Sequence, residues 1–340
     1  MKILITGGAG FIGSNLCDYF VDKQYSVVCL DNLSTGFLHN IEHLIGNPNF
    51  KFIEGDIRDI ETCREAITGC NFVLHHAALG SVPRSVNDPI ATNSVNITGF
   101  LNMLVASKEA EVERFIYAAS SSTYGDLIEL PKIEHRIGRP LSPYGITKYV
   151  NELYANVFSE LYDMQTIGLR YFNVFGKRQT PESTYAAVIP LWVKAMINHH
   201  SPVINGDGSF SRDFTYIDNV IQANELAITT RKNDIISRAG LYNLSLPSDA
   251  PIELVFNIAY GGNTNLLELF DALKKNLSKY DPEIGKIKPL FRENRKGDIP
   301  HSMASIEKAK RILNFNPLYS ASEGIEKACE WYWDYLKTRK

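Results

Sequence analysis

"KILITGGAGFIGSN" (residues 2–15) reads as an apolar strand, a glycine turn and the first turns of a helix. Its glycines, Gly7, Gly10 and Gly13, are spaced G-x-x-G-x-x-G. Gly7 permits the tight turn, Gly10 lets backbone approach a pyrophosphate, and Gly13 lets the helix pack closely on the strand. Phe11 and Ile12 lie between the last two glycines, where a helix N-terminus faces the phosphates. Glycines alone are a weak signal; a glycine turn directly after the first strand is a stronger one.

Outward from this stretch, short apolar runs alternate with helical patterns. "YSVVCLD" (25–31), "FKFIEGD" (50–56), "FVLHHAA" (72–78), "RFIYAASSS" (114–122) and "QTIGLRYFNVFG" (165–176) read as strands. Helices are expected near 12–23, 59–68, 91–110 and 144–161. Continuously apolar strands alternating with helices indicate a parallel sheet covered on both faces. Right-handed crossovers then give an α/β fold, a doubly wound parallel Rossmann sheet. Residues 1–176 form its cofactor-binding unit, and 177–340 are mainly a smaller α/β substrate-binding unit. The division is discontinuous, because a later strand near 255–259 returns to the sheet. The stretch 231–255 is hard to place: "LYNLSLPSDAP" and "VFNIAYGG" are rival strand candidates, and Val255–Ala259 is favoured.

With 340 residues, 44% hydrophobic and 21% charged, the chain has the composition of an ordinary globular protein. A net charge of −3 and no Lys/Arg run argue against a nucleic-acid surface. No apolar run reaches the ~18 residues of a membrane span. Five scattered cysteines make neither a disulfide framework nor a zinc site, and fit a reducing compartment. No metal is expected, and a cytoplasmic location is.

Asp31 ends the second strand, 18 positions past Gly13. A carboxylate there accepts from the adenosine ribose hydroxyls and repels a 2′-phosphate. No Arg or Lys lies between Cys29 and His39 to welcome that phosphate. The cofactor expected is therefore NAD rather than NADP. Asn32 follows Asp31; Asp56 and Ile57 would hold the adenine, and Ala77 and Ala78 would line the cofactor.

"YGITK" (144–148) follows Ser142-Pro143, a good helix N-cap and a residue suited to the first turn. The i, i+4 spacing puts Tyr144 and Lys148 on one face. Alone this reads as a surface helix with a solvated lysine. Beside a dinucleotide site it reads as chemistry: an ammonium near a phenol favours the phenolate and lowers its pKa from about 10. Tyr144 then serves as general base for a sugar or alcohol hydroxyl, and Lys148 can also hold the nicotinamide ribose. The serines 120–122 end a strand at the carboxyl edge, where ligands bind in such sheets.

GGAGFIG, Asp31, SSSTYG and YGITK together resemble the extended short-chain dehydrogenase/reductase family. "LRYFNVFG", "NGDGSFSRDF" and "RKGDIPHS" are similar, in order, to its nucleotide-sugar epimerase branch, over nearly the whole chain. "LGSVPRSVNDP", "RYFNVFGKRQ" and "YAAVIPLW" look like the UDP-N-acetylglucosamine 4-epimerases of bacterial polysaccharide synthesis. The resemblance implies that Tyr144, Lys148 and Ser120 are catalytic and that Ser121 and Ser122 contact the sugar. It implies that Asn173, Arg212 and Arg295 hold the diphosphate, with Asp298 near the uridine ribose. Ala187, Val188 and Asn205 would meet the uracil and its ribose. Ser302 would leave room at the sugar's C2 group for an N-acetyl substituent, and Gly80, Ser81 and Gln179 match that preference. Arg84 is a candidate cation for a uronic acid. The activity implied is C4 epimerisation of UDP-N-acetylhexosamines through a 4-keto sugar, by a homodimer.

A 4,6-dehydratase or decarboxylase on the same scaffold is the rival enzyme. A dehydratase typically places acidic residues just after the strand-end Ser/Thr, and here Ser121-Ser122-Thr123 carries none before Tyr124. A non-catalytic NAD sensor has no reason to keep Ser120, Tyr144 and Lys148 together.

Overall fold

The structure, a computed structural model, describes residues 1–182, 185–242, 244, 246, 251–293 and 299–338. Its spine is a seven-stranded sheet of β1 (Lys2–Thr6), β2 (Ser26–Asp31), β3 (Phe50–Glu54), β4 (Phe72–His75), β5 (Arg114–Ser120), β6 (Thr166–Tyr171) and β7 (Glu253–Ile258). The spatial order is β7-β6-β5-β4-β1-β2-β3, and every neighbouring pair is parallel.

Alternation along each strand feeds two cores. One face (Ile3, Ile5, Val27, Leu74, Ile167, Leu169) packs on α1 (Phe11–Asp22) and α5 (Ile217–Thr229). The other (Leu4, Val28, Val73, Phe115, Tyr117) packs on α2 (Ile60–Ile67), α3 (Phe100–Glu109) and α4 (Pro143–Tyr162). Sheet faces covered on both sides explain why the strands read as continuous apolar runs. Strand order reverses between β1 and β4, so the crevice at their carboxyl ends is where a ligand fits.

Some boundaries differ from the expectations. β5 stops at Ser120, because its Oγ accepts from Ser122 N at 3.1 Å and caps a 3₁₀ turn over Ser121–Tyr124. The run expected at 91–110 begins at Pro89 and passes through a π-helical turn, Ser94–Gly99, before α3. β7 pairs with β6 from Thr166↔Glu253 to Tyr171↔Ile258. Within 231–255, the stretch hard to place from the sequence, Lys232–Leu241 is a helix. The rival strand "LYNLSLPSDAP" lies largely outside the described residues.

Beyond β6, short strands replace long ones. Val203–Asn205 pairs with Leu290–Arg292, and Ser211–Arg212 pairs with both Thr264–Asn265 and His301–Ser302. The fully buried Asp213 knots this region: Oδ1 accepts from Gly261 N and Oδ2 from Ala304 N, both at 3.2 Å. No helix among the described residues is long and apolar enough to cross a membrane.

Candidate active site

The carboxyl ends of the strands open into a cavity of about 470 Å³. At its floor Gly7 has φ +68°, and a Cβ there would lie 2.7 Å from Ala77 N. A Cβ on Gly13 would lie 2.1 Å from the Gly7 carbonyl oxygen. The turn therefore admits only glycine at either place, and α1 is drawn in until its N-terminus faces the cavity. No side chain among the described residues caps that terminus. Its free amides and positive dipole end suit the diphosphate of a dinucleotide.

The other fittings of a dinucleotide are present in the same cavity. Phe11, Ile12, Asp31, Asn32, Asp56, Ile57, Ala77 and Ala78 all line it, with Gly7, Gly10 and Gly13. Asp31 is held by the turn itself, Oδ2 accepting from Ala9 N (2.9 Å) and Oδ1 from Leu33 N (2.8 Å). Each oxygen keeps a lone pair for a ribose hydroxyl. Asn32 Nδ2 donates to Asp56 at 2.9 Å. Asp56 also takes a fork from Arg58 (2.7 and 3.0 Å), which holds its carboxyl down at about 2. Arg58, outside the stretch from Cys29 to His39, is thus a cation beside Asp56. Its charge is spent on Asp56.

Towards the other end stand Ser120, Tyr144 and Lys148, with Gly80, Arg84, Asn173 and Gln179. Helix α4 starts as its sequence dictates: Ser142 Oγ accepts from Gly145 N at 3.1 Å, with Pro143 in the first turn. That start places Tyr144 and Lys148 side by side under the end of β5. The electrostatics differ from the expectation. Burial raises the Tyr144 pKa, and the group that lowers it is the Ser120 hydroxyl, not the ammonium. Lys148 is itself pushed down to about 8 by burial, with the Glu152 carboxylate opposing. Its Nζ donates to the Ala118 carbonyl at 2.7 Å, so its charge is engaged by strand backbone.

Two further cavities adjoin. One of about 440 Å³ is lined by Val188, Asn205 and Arg212 among apolar residues such as Trp192 and Phe214. The other, of about 400 Å³, takes in Ser81, Gln179, Ala187 and Val188. Asn173 lines all three cavities, and its φ of +33° is one that asparagine adopts more readily than most residues. Gln179 donates through Nε2 to Val174 O at 3.0 Å, while its buried Oε1 has no partner among the described residues. Arg84 lies over the Tyr185 ring, 5.3 Å from its centre.

Not every expected residue joins these linings. Ser121 and Ser122 sit in the turn beyond Ser120 and line none of the three cavities. Ser302 lies on its short strand in register with Arg212. Arg295 and Asp298 fall outside the described residues. The sequence reading missed His76 and Tyr171, which line the main cavity. Their rings stack at 5.9 Å, and His76 Nε2 and Tyr171 Oη hydrogen-bond at 2.9 Å. Burial holds His76 neutral, down at about 3. The only signal was the polar doublet His75-His76 at a strand end.

The chain is similar over most of its length to known proteins. The model of the NAD dependent epimerase/dehydratase family matches residues 3–244. A putative UDP-glucose 4-epimerase of Methanocaldococcus jannaschii is 34% identical, over 97% of both chains. Among solved structures, the UDP-N-acetylglucosamine 4-epimerase of Methanobrevibacter ruminantium M1 in complex with UDP-N-acetylmuramic acid superposes with TM-score 0.85. It is 33% identical, over 98% of both chains. The Thermotoga maritima UDP-glucose 4-epimerase with UDP-glucose gives TM-score 0.86 at 34% identity, over 99% of this chain and 100% of that one. The chain therefore belongs to the NAD dependent epimerase/dehydratase family, and its cofactor is NAD.

Proposed function

We propose that this protein epimerises UDP-N-acetylhexosamines at C4, and that the corresponding uronic acids are within its range. One observation carries the reading. Among the described residues lining the three cavities, the acids are Asp31 and Asp56, both at the adenosine end. Among the described residues, the catalytic end has Tyr144, Ser120 and Lys148 and no carboxylate to drive elimination of a C6 hydroxyl. A phenol that removes and returns one proton, with no acid beside it, suits epimerisation better than dehydration.

Bound NAD supplies a hydride acceptor for C4 and a donor for its return. Tyr144 takes the proton of the 4-hydroxyl, with Ser120 Oγ sharing it and favouring the phenolate, and Lys148 holds the nicotinamide ribose. The 4-keto sugar turns in the cavity and receives hydride on its opposite face, and Tyr144 returns the proton. Asn173 and Arg212 hold the diphosphate between the first and second cavities, and the apolar second cavity takes the uracil. The partnerless Gln179 Oε1 supports an N-acetyl substrate, since an acetamido N–H is the donor it lacks. Arg295, Asp298, Ser121, Ser122 and Ser302 keep the substrate roles that the resemblance implies.

A second copy of the chain is the partner this reading includes. Ile146, Leu153, Val157 and Leu161 form an exposed apolar stripe on α4, between 43 and 67% accessible, and light scattering of the purified protein tests for a dimer. All five cysteines are free thiols, which supports a reducing, cytoplasmic setting.

The test is a proton NMR time course with UDP-N-acetylglucosamine and no added cofactor. Growth of the UDP-N-acetylgalactosamine anomeric signal to a fixed ratio supports the reading. A new C6 methyl signal identifies a dehydratase instead. An unchanged spectrum, with NAD and the uronic acid also supplied, overturns it.

A further inference from the structure

The loop after β6 carries Asn173 and Gln179, and it is held in an unfavourable shape. Arg178, beside Gln179, has φ +68°, a conformation that costs any residue with a Cβ and that arginine has no local means to offset. Such a backbone persists only when its surroundings determine it. A turn closed by Gln179 N donating to Gly176 O at 3.2 Å is one determinant, and helix α1 is the other. Arg178 Nη1 lies 2.8 Å from Asp18 Oδ2 and donates to Ser14 O at 3.1 Å. Ser14 and Asp18 are four apart and share one face of α1. The neighbouring Lys177 adds two ties, its carbonyl accepting from Asn15 Nδ2 (3.2 Å) and its ammonium lying 3.7 Å from Asp18. His43 fixes the other Asp18 oxygen at 2.8 Å. The Arg178 and Asp18 side chains are 16 and 18% exposed, so the pair is largely shielded from solvent.

Helix α1 is also the helix whose N-terminus forms the diphosphate cradle of the cofactor. We propose that Asp18 and Arg178 are positioning residues that lock the sugar-nucleotide loop to the cofactor helix. They thereby set the place of Asn173 and Gln179 relative to the hydride-transfer centre. This rests on the assignment of Asn173 and Gln179 to the sugar nucleotide. Neither Asp18 nor Arg178 lines any of the three cavities, so their effect passes through the loop.

The test compares full-length wild type with Arg178→Ala, Arg178→Gly, Asp18→Asn and the Arg178→Ala/Asp18→Asn double variant. UDP affinity is measured by calorimetry, retained NAD from the absorbance of the protein-free extract, and kcat and KM with UDP-N-acetylglucosamine. Glycine relieves the strain at 178 yet cannot reach Asp18. The lock predicts that Arg178→Gly and Arg178→Ala both weaken UDP and raise KM by about tenfold, with retained NAD unchanged. The double variant should be no worse than Arg178→Ala. An Arg178→Gly protein that binds UDP as wild type does shows a residue serving the fold alone, and overturns the lock. So does a double variant whose loss is the product of the single losses. A wild type that binds UDP but converts no UDP-sugar defeats the proposed function, and the lock is then judged on UDP affinity alone.

Discussion

Lys148 Nζ and the carbonyl of Ala118 are 2.7 Å apart, a bond that ties helix α4 to the strand ending in Ser120. The lysine is buried and its pKa is brought down to about 8. As pH rises through that value the folded protein loses the ammonium, so kcat/KM should fall on the alkaline side of about 8. Stability moves the other way. The unfolded lysine keeps its proton up to about 10.4, so this group's contribution to stability grows between the two values. A pH–rate profile checks the first statement, and Lys148→Met should lack that limb and retain less NAD.

Tyr144→Phe removes the proposed general base while keeping the ring. Its kcat should fall by about 10²–10⁴-fold, with retained NAD unchanged. Ser120→Ala should have the same direction and a smaller size, because Tyr144 remains. Single-turnover kinetics with UDP-N-acetylglucosamine separate the two.

Asp213 is buried and its pKa is raised to about 6. A raised folded value means that the folded carboxyl binds its proton more tightly than the unfolded one. Its contribution is therefore most favourable in acid and is lost as pH rises through about 6. Other carboxylates also titrate there, so the informative quantity is the difference in Tm between wild type and Asp213→Asn. That difference should shift against wild type between pH 5 and pH 7.5.

Ser302→Tyr tests substrate choice. A ring beside the C2 group takes the room of an acetamido substituent but not of a hydroxyl, so turnover of UDP-N-acetylglucosamine should drop and that of UDP-glucose should be spared or improved. Competition between the two substrates in one NMR tube reads the ratio directly. An unchanged ratio would remove Ser302 from the specificity argument.

The parts of this molecule that depend on nearest neighbours in the chain were open to reading. The glycine turn, the Ser142-Pro143 helix start and the Tyr144/Lys148 face are each decided within a few residues. Asp31 was legible too, because strand length fixes where a strand ends. The rest depends on meetings across long separations. That Ser120 rather than Lys148 lowers the Tyr144 pKa follows from how deeply α4 is buried and which way Lys148 bends. The Arg178–Asp18 pair joins residues far apart in sequence, and nothing in "FGKRQ" announces its partner. His76 and Tyr171 meet across β5, where the residues on that face, Ala118 and Ser120, are small.

The β7 strand adds to the sheet only at its outer edge, against β6. During synthesis β7 leaves the ribosome only after β6 and after the helices and short strands between Val188 and Leu241. Until Ile258 has emerged, β6 presents a bare row of N–H and C=O groups beside apolar Ile167 and Leu169, the kind of edge that recruits other chains. A fragment ending at residue 244, where the family match stops, would keep that exposed edge permanently. Such a fragment should therefore aggregate rather than bind NAD, and neither half can be excised as a working module.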